Sequence, residues 1–566
     1  MFSSKTAIQF ATTVVHLRRQ QITSQIRNRL RPLYERPRSF QIQPLPPYNG
    51  CRWQPKNEFL PSGPQVQSAL DILEGRFSFL NQEAYVGWPP DWRRCDVPKL
   101  WMYHLHYFEY LWILNYKAVK ALVLDWIDNH PLGQGQVGWE PYPTSFRLMN
   151  LCGVFFGKYR AQTVTDLDFL NRLWASMYLQ SQWLSEHLET HLLGNHLFEN
   201  GAALAIVGSC FSGCEADKWF QMGVNILDRE IPEQILGDGM HFERSPMYHS
   251  RIVYLLAMLY NTGCSKLIDL VKEPLVRTLN ALINLTHPDG QIALLNDSAF
   301  SVYNTPDELI SYVRELLGGH NEDIGTVTYG PFALPDAGYY GFRDDDGSYI
   351  ICDAGPIGPD YIPGHAHADI FSFELSLKGH RVIVDSGVYD YEPSSMRSYC
   401  RSTKAHNTVE VEGQDQCEMW AAFRVGRRGY PYDVQWIPSN NDFHLKAWHD
   451  GYKRLKGSPK HSRWFHWNNS GTLIIKEQVD ASCGQNVVSR IHLHPDCMIG
   501  YISGGNVEVI YPAGRFKVSF QGKGKLTVEK SRYCPAFGLK DDNLALTYCV
   551  SGPLIKISTH IQKIPG

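Results

Sequence analysis

The sequence predicts a multidomain α + β protein in which a helical half precedes an antiparallel β half. Three observations carry this prediction. The chain has 566 residues, which is too many for one hydrophobic core. Residues 66–325 repeat apolar side chains at helical spacing. Residues 326–566 consist of short alternating stretches that Gly, Asp and Asn turns separate.

Long apolar-periodic runs make up the helical half. Two of them are WMYHLHYFEYLWILNYKAVKALVLDWI and MYHSRIVYLLAMLYNTG. Since no strand pattern alternates regularly with these runs, a doubly wound parallel sheet is not expected. We predict stacked helical hairpins over residues 66–325. The pair His104 and His106 lies inside such a run and is interpreted as structural.

The β half contains stretches of alternating polarity, such as DIFSFELSLKGHRVIVDSG and NVEVIYPAGRFKVSF. Alternation with period two is typical of strands that bury one face. We therefore predict an antiparallel β-sandwich over residues 326–566.

Residues 1–65 are predicted to be a basic amphipathic leader followed by a Pro-rich segment that is either a linker or wraps around the next region. Between Met1 and Ser39 there are eight Lys or Arg and a single acid, Glu35. Apolar residues recur there mostly at helical steps: Ile8, Ala11, Val15, Ile22, Ile26 and Leu30. Packing as a first helix, contact with a membrane surface and mimicry of a transit peptide are all compatible with this pattern.

The net charge, the cysteines and the apolar runs limit which partners, cross-links and targeting segments are expected. The formal net charge of −3 gives no general attraction to nucleic acid, so we expect no nucleic-acid partner. The 13 cysteines include no CxxC pair, which predicts free thiols rather than a disulfide framework. No apolar run is long enough to predict a transmembrane helix. Because most of the leader's charge follows its apolar part, no cleavable secretory signal is expected.

The segment GHAHADIFSFELSLKGHRVIVDSG and the nearby KAHNTVEV gather His365, His367, Asp385 and His406. Neutral imidazole and carboxylate are ordinary zinc ligands. On an extended strand His365 and His367 would point to the same face. The segment therefore predicts a metal site with one histidine to spare for catalysis.

Four stretches of the helical half carry polar residues among apolar ones: HLLGNHLFENG, HFERSPMYH, GWEPYPTSFRLMN and ALLNDSAF. Buried polar side chains need partners or a cleft. Arg147 and Glu199 are therefore either substrate-binding residues or a structural ion pair. Asn296 and Asp297 stand out in the last stretch without an assigned role.

The motifs GNHLFENG, FERSPMYH, GHAHAD, VDSG and RSTKAHNTV follow one another between Trp101 and Trp420. In this order they resemble the heparinase II/III superfamily of polysaccharide lyases, which includes alginate-lyase-like members. The resemblance implies an incomplete (α/α) toroid followed by an antiparallel β-sandwich, with the active site between them. It also implies β-elimination at a uronic acid of an acidic polysaccharide.

The resemblance assigns roles to particular residues. The residues matching catalytic positions are Asn195, His196, Tyr248 and His365. Those matching ligands of a structural zinc are His367, Asp385 and His406. Those expected to bind substrate are Tyr142, Arg147, Glu199, Arg244, Tyr391 and Tyr399. Arg244 is expected to activate Tyr248, whose ordinary pKa is about 10, if the two share a helical face.

Alternatives stay open at this point. A metal-dependent glycan hydrolase would use the zinc as a Lewis acid, and a non-catalytic protein of an exopolysaccharide pathway would only bind glycan. The resemblance favours the periplasm or cell envelope, with a cytoplasmic or membrane-peripheral location as the alternative. No Lys/Arg cluster accompanies the motifs, so a weakly sulfated or unsulfated polymer is at least as compatible as heparin. The sequence does not indicate an oligomeric state.

Overall fold

The computed structural model describes residues 4–34, 46–64, 67–132, 136–318 and 324–564. Helices dominate as far as Leu316, and strands dominate from Gly330 onwards. This order confirms a helical N-terminal region followed by a β-rich C-terminal region. Among the described helices, none is both long and apolar enough to cross a membrane. The cysteines are free thiols, as predicted.

Thirteen α-helices lie in the described part of the N-terminal region. Their bounds are α1 Ser4–Val14, α2 Arg19–Tyr34, α3 Ala69–Leu73, α4 Lys99–Tyr107, α5 Tyr116–Asn129, α6 Pro141–Cys152, α7 Arg160–Thr165, α8 Leu167–Glu186, α9 Gly194–Cys210, α10 Cys214–Gln234, α11 Pro246–Asn261, α12 Ser265–Asn284 and α13 Pro306–Leu316. The longest predicted run is divided into α4 and α5. Phe108 ends α4 with φ +66°, and the Asn115 side chain caps α5 by accepting a hydrogen bond from Ala118 N.

Helices α9 and α10 form a tightly packed hairpin because glycines occupy their contact. A Cβ atom on Gly208 would lie 2.3 Å from Phe220 N, and one on Gly223 would lie 2.4 Å from Ala205 N. Only glycine permits backbones to approach so closely. The hairpin holds the first turn of α9 in a fixed position, where Asn195 and His196 lie.

In the first hundred residues, one feature was not predicted and another selects one of two interpretations. A hairpin of strands β1 Arg76–Phe79 and β2 Gln82–Tyr85 interrupts the helices. Residues 46–64 do not form a free linker but pack on the helical region. Trp53 is buried there, and its Nε1 donates to Ser209 Oγ at 2.9 Å. Burial of an indole with its N–H satisfied fixes this segment to the helices.

The C-terminal region contains two antiparallel sheets and short additional elements. The five-stranded sheet has β3 Gly330–Leu334, β4 Tyr339–Arg343, β5 Tyr349–Asp353, β6 Phe373–Leu377 and β7 His380–Ile383 in sequence order. The ten-stranded sheet has β8 Val409–Val411, β11 Pro431–Ser439, β12 Asp442–His449, β13 Lys460–Trp467, β14 Thr472–His492, β15 Met498–Ser503, β16 Asn506–Tyr511, β17 Gly514–Gln521, β18 Lys525–Tyr533 and β19 Asp541–Ile564. In the chain, helix α14 Ser395–Cys400 precedes β8, and a separate antiparallel pair, β9 Met419–Trp420 and β10 Arg424–Val425, follows it.

The two sheets share one apolar core. The Phe342 ring stacks on Trp467 with centroids 5.4 Å apart, and the Phe373 ring meets Phe465 at 5.7 Å. Along β13 every second residue is buried, which is the pattern of a strand with one face on a core. The sheets therefore pack as layers. The ring-like closure implied by the toroid stays a prediction.

Polar contacts join the helical region to the five-stranded sheet. Tyr349 Oη donates to Asn284 O at 2.6 Å, and Arg343 Nη2 donates to Ile283 O at 2.9 Å. Both carbonyls lie at the end of α12, where backbone oxygens lack helical partners. The contacts hold the two regions together beside the loop that carries His365.

The basic N-terminal segment forms two helices, α1 and α2, rather than one. Thr13 Oγ1 on α1 donates to Val425 O at 3.0 Å in the β-rich region. Gln21 on α2 is buried, and its Nε2 donates to Tyr361 O at 3.1 Å and to Leu192 O at 3.4 Å. The segment therefore packs against both regions, as the first of its three interpretations predicted.

Candidate active site

The first turn of α9 contributes one wall of the candidate site. Leu193 and Gly194, which immediately precede Asn195, both have positive φ, +66° and +55°. A Cβ atom on Gly194 would lie 2.7 Å from Ile362 Cδ1, so glycine is needed there. Asn195 Nδ2 makes only a long contact, 3.5 Å, with Tyr142 Oη. Asn195 Oδ1 has no partner within the described residues, so the amide is available to a ligand.

His196 lies next to this amide and is paired with a carboxylate. Its Nδ1 lies 3.0 Å from Glu189 Oε1, and its ring centroid lies 4.3 Å from that of Tyr142. Burial opposes protonation of His196, but the Glu189 carboxylate outweighs it and raises the His196 pKa above its usual value. The imidazole is thus biased towards its cationic form.

Tyr248 contributes the opposite wall from the first turn of α11. Ser245 caps this helix by accepting from Tyr248 N at 3.3 Å, which fixes the start of the helix. The Tyr248 and Tyr391 hydroxyls lie 3.1 Å apart. Burial and then the neighbouring Tyr391 raise the pKa of Tyr248 well above 10. The phenol therefore keeps its proton in the free protein.

His365 packs against Tyr248, with ring centroids 4.0 Å apart and the ring planes inclined by 32°. Its Nδ1 lies 2.9 Å from Asp297 Oδ2. Because a carboxylate only accepts, Nδ1 carries the hydrogen and Nε2 has the free lone pair. Glu243 Oε2 is 3.6 Å from Nε2, beyond hydrogen-bonding distance. In the neutral tautomer that this hydrogen bond selects, Nε2 is the nitrogen that can accept a proton.

Glu243 connects the two walls. Its Oε1 accepts from Asn195 N at 3.2 Å, and its other oxygen faces His365. Burial raises the pKa of this carboxyl above its usual range. Through Glu243, Asn195 and His365 are held within one group. We call the set Tyr142, Asn195, His196, Tyr248, His365 and Tyr391 the interdomain cluster.

Asp297 was noticed in the sequence but given no role, and it is the hub beneath the cluster. Its two oxygens lie 2.9 Å from His365 Nδ1 and 2.9 Å from His367 Nε2. The two terminal nitrogens of Arg397, Nη1 and Nη2, also donate to Asp297, and the Nη2 bond is 2.8 Å long. Asp297, His367 and Arg397 are buried, and His365 is partly exposed. The Arg397 charge and these hydrogen bonds outweigh burial and hold the Asp297 pKa well below its usual range.

The predicted metal ligands His367, Asp385 and His406 form one buried group, and their ligand atoms lie within 4.8 Å of one another. His367 Nε2 gives its hydrogen to Asp297, and His406 Nδ1 lies 2.7 Å from Asp385 Oδ2. The remaining nitrogens, His367 Nδ1 and His406 Nε2, are buried without a partner in the described chain. Two free imidazole lone pairs beside a carboxylate fit a zinc ion, and Asp297 is the kind of outer partner that orients a ligating histidine.

One local expectation about these histidines was wrong. Residues 364–372 form a loop rather than a strand. Both histidines nevertheless bond to the same Asp297 carboxylate, His365 through Nδ1 and His367 through Nε2. The loop lets His365 face the cluster while His367 faces the metal group.

Arg244 does not activate Tyr248, which corrects the expectation of a shared helical face. Arg244 has φ +58° and precedes α11, which begins at Pro246. Its Nε donates to Ala337 O at 2.9 Å and its Nη2 to Asp336 O at 3.1 Å. The guanidinium thus joins the helical region to the β-rich region.

Three other predicted substrate-binding residues also satisfy their polar groups away from the cluster. Arg147 is fully buried, stacks 4.2 Å from the Trp126 ring and donates to Gln180 Oε1 at 2.7 Å. Glu199 pairs with Arg251 at 2.7 and 3.0 Å rather than with Arg147. Tyr399 Oη lies 2.8 Å from Ser531 Oγ. Of the six predicted residues, Tyr142 and Tyr391 join the cluster.

Comparison with known proteins agrees with this architecture. Residues 109–317 match the model of the heparinase II/III N-terminus, and residues 326–561 match that of the heparinase II/III-like C-terminal domain. The chain is 84% covered by a crystal structure of heparinase III, with a TM-score of 0.69, 18% identity and 80% of that chain covered. Heparan sulfate lyase from Pedobacter heparinus superposes with a TM-score of 0.61 at 20% identity, covering 88% and 82% of the two chains. These likenesses concern the fold.

Curated relatives are similar over part of their length. A heparin-sulfate lyase from Pedobacter heparinus is 28% identical over 335 residues, which are 54% of this chain and 48% of the relative. One from Bacteroides stercoris is 25% identical over 437 residues, or 69% of this chain and 61% of the relative. The chain thus spans about half the length of the first of these relatives. Because matches to both family models cover most of its residues, the chain belongs to the heparinase II/III superfamily.

Proposed function

We propose that this protein is a polysaccharide lyase that cleaves an acidic polysaccharide by β-elimination at a uronic acid. One observation carries the proposal. The Tyr248 phenol, which keeps its proton, and the His365 imidazole, whose Nδ1 is held by Asp297, lie with ring centroids 4.0 Å apart, and the Asn195 amide oxygen of the same cluster has no partner within the described residues. Elimination needs an acid, a base and a group that neutralises a carboxylate, and these are the groups that the interdomain cluster contains.

The reaction determines what each group must do. A base removes the proton from C5, the C4–O4 bond breaks, and a double bond forms between C4 and C5. The departing O4 takes up a proton. Loss of the C5 proton places a second negative charge beside the carboxylate, so stabilising this charge is the main demand on the site.

Tyr248 is assigned as the general acid. Its raised pKa keeps the proton on the phenol, as an acid requires. The hydroxyl is oriented by Tyr391 at 3.1 Å. Since Arg244 is engaged elsewhere, nothing in its position favours the phenolate that a base would need. Tyr248 therefore protonates O4.

His365 is assigned as the base that takes the C5 proton. Asp297 holds its Nδ1, so Nε2 is the accepting nitrogen, and the carboxylate stabilises the imidazolium that forms. An aspartate performs the same service for the histidine of serine protease triads. Because the two rings are in contact, the base and the acid would approach the sugar from the same side.

Asn195 and His196 are assigned to the uronate carboxylate. The Asn195 amide has only one long internal hydrogen bond to lose. His196 is biased towards the cation by Glu189. A hydrogen-bond donor and a positive charge together favour the doubly charged, enolate-like intermediate over the substrate.

The buried group His367, Asp385 and His406 is assigned to a structural zinc ion. When bound, the zinc would fix the loop that carries His365. The three side chains are fully buried, so this group has no open face for a substrate or an activated water. The same burial disfavours a hydrolase that uses the metal as a Lewis acid.

Replacing His367 by alanine should reduce the zinc bound per chain and lower the midpoint of thermal unfolding, because a ligand and its hydrogen bond to Asp297 are both lost. Elemental analysis and thermal unfolding of the purified protein measure both quantities. His380→Ala is the matched control, since His380 is exposed on neighbouring β7. Unchanged zinc content in the His367 variant would rule out this ligand set.

We propose a weakly sulfated or unsulfated uronate polymer as the substrate. Arginines near the cluster are committed to protein partners: Arg251 to Glu199, Arg397 to Asp297 and Arg244 to two carbonyls. Sulfate groups would call for uncommitted cations. The named relatives act on heparin sulfate, so an unsulfated or sparsely sulfated polymer of that backbone leads the candidates. We place its cleavage in the periplasm or cell envelope.

A panel of uronic-acid polysaccharides tests this function. The protein is incubated with unsulfated, sparsely sulfated and heavily sulfated polymers, together with alginate, while ultraviolet absorbance is followed. Absorbance should rise from the unsaturated product and be strongest on a polymer with little sulfate. New reducing ends without absorbance would instead establish hydrolysis. A response to heparin alone would contradict the proposed substrate.

A further inference from the structure

The helices α1 and α2 turn their apolar stripe away from the protein. The stripe comprises the residues that recur at helical spacing, and its large members are exposed to these fractions: Ile8 53%, Val15 77%, Ile22 37%, Ile26 53% and Leu30 47%. Ala11 of the same stripe is also exposed. Single exposed apolar residues are ordinary, but several large ones on two short helices and the turn between them indicate an interaction surface.

The opposite, polar side of these helices is the side that packs on the enzyme. Thr13 bonds to Val425 O, and Gln21 bonds to Tyr361 O and Leu192 O. Arg18 stacks 3.7 Å from the Tyr361 ring and pairs with Glu233. The usual arrangement of an amphipathic surface helix is thus inverted, because such a helix normally buries its apolar face in the core.

Charge around the stripe indicates the kind of partner. Exposed Arg19, Arg27 and Arg29 lie on α2, and no acid occurs between Met1 and Tyr34. The whole chain has a net charge of −3, so this positive charge is local. Two copies of such a basic face would repel one another, which disfavours self-association through it. An apolar stripe flanked by arginines fits the surface of an anionic bilayer.

We propose that α1 and α2 attach this protein peripherally to anionic lipid surfaces. Ile8, Val15, Ile22, Ile26 and Leu30 enter the boundary between headgroups and acyl chains, and the flanking arginines lie among the anionic headgroups. The helical and β-rich regions stay in the aqueous phase. The hydrogen bonds of Gln21 and Thr13 hold them to the two membrane-bound helices. Neither contribution needs to be strong alone, because apolar insertion and charge attraction add.

Co-sedimentation of the full chain with vesicles tests this attachment. The protein should bind vesicles of phosphatidylglycerol and phosphatidylcholine, bind pure phosphatidylcholine much more weakly, and be released by salt. The variant Ile22→Ser/Ile26→Ser/Leu30→Ser should partition at least about tenfold more weakly, because three apolar side chains lose their burial in lipid. Arg19→Gln/Arg27→Gln/Arg29→Gln should lose the salt-sensitive part of binding.

Ile437→Ser/Leu554→Ser is the matched control, since both residues are exposed on the β-rich region, at 61% and 55%. It should bind vesicles like the unaltered protein. The proposal is overturned if the unaltered chain does not bind anionic vesicles. It is equally overturned if the α2 serine variant binds them as well as the unaltered chain. It is also overturned if sedimentation velocity reveals a dimer that the serine variant dissociates, because the stripe would then be a contact between copies. The readout is independent of catalysis.

Discussion

Tyr248→Phe should lower turnover by about 100- to 10,000-fold, the usual contribution of a general acid. The ring and its packing on His365 are retained, so folding and polymer binding should change little. The loss arises because O4 would have to depart without the proton that the phenol supplies. Initial rates on the best polymer of the panel, together with binding of the polymer to the inactive variant, measure the two effects separately.

Two other tyrosine-to-phenylalanine changes serve as controls for this result. Tyr254→Phe alters the same helix, but the Tyr254 hydroxyl donates to Leu60 O and lies outside the interdomain cluster. It should retain turnover. Tyr391→Phe removes the hydroxyl beside Tyr248 and should cause an intermediate loss. Equal activity of Tyr248→Phe and Tyr254→Phe would remove Tyr248 from the reaction.

Asp297→Asn should lower the free energy of unfolding by about 3–5 kcal/mol, because it leaves the Arg397 guanidinium buried without a charged partner. It should also reduce turnover at temperatures where the variant is folded. Asparagine can donate towards His365 Nδ1, so the imidazole would lose the tautomer that presents Nε2 as the base. Chemical denaturation and initial rates measure the two losses.

Asp289→Asn provides the comparison for Asp297→Asn. Asp289 also pairs with a buried arginine, Arg381, but it is a third exposed, and Glu374 remains 3.5 Å from that arginine. Its replacement should therefore cost far less stability and leave turnover intact. If the two substitutions proved equally mild, Asp297 would not be the hub of the site.

Local patterns in the sequence predicted the fold at the level of its two halves. Helical periodicity before residue 325 and alternation after it correspond to the order of helices and strands. The hairpin at Arg76–Tyr85 was missed because its strands have four residues each, too few to display a period. The division of the first predicted helical run depends on the positive φ of Phe108, which no periodicity reveals.

The residues of the candidate site could be predicted only in part. Family motifs predicted Asn195, His196, Tyr248 and His365, and these residues meet in the structure. Asp297, Glu243 and Arg397 were not predicted as site residues, because their contacts join positions 33 to 100 residues apart or depend on the domain interface. Asn296-Asp297-Ser298 is a polar run inside an apolar stretch, and this was the available signal for the hub.

Arg147 and Arg244 were expected to bind substrate, and their positions show where sequence spacing misleads. Arg147, next to aromatic residues in its motif, stacks on Trp126 in the helical core. Arg244 is four residues before Tyr248, but a left-handed residue outside the helix turns it towards Ala337. Sequence spacing predicts a shared face only where the helix is continuous.

The most direct test of the central claim is the mass of the product formed in water enriched with oxygen-18. Elimination transfers no water, so the account predicts a product that lacks the label and is lighter by one water than the hydrolytic fragment. The Tyr248→Phe variant should form this product far more slowly. A product that gains one labelled oxygen at the cleaved bond would contradict the account, because it would identify the protein as a hydrolase.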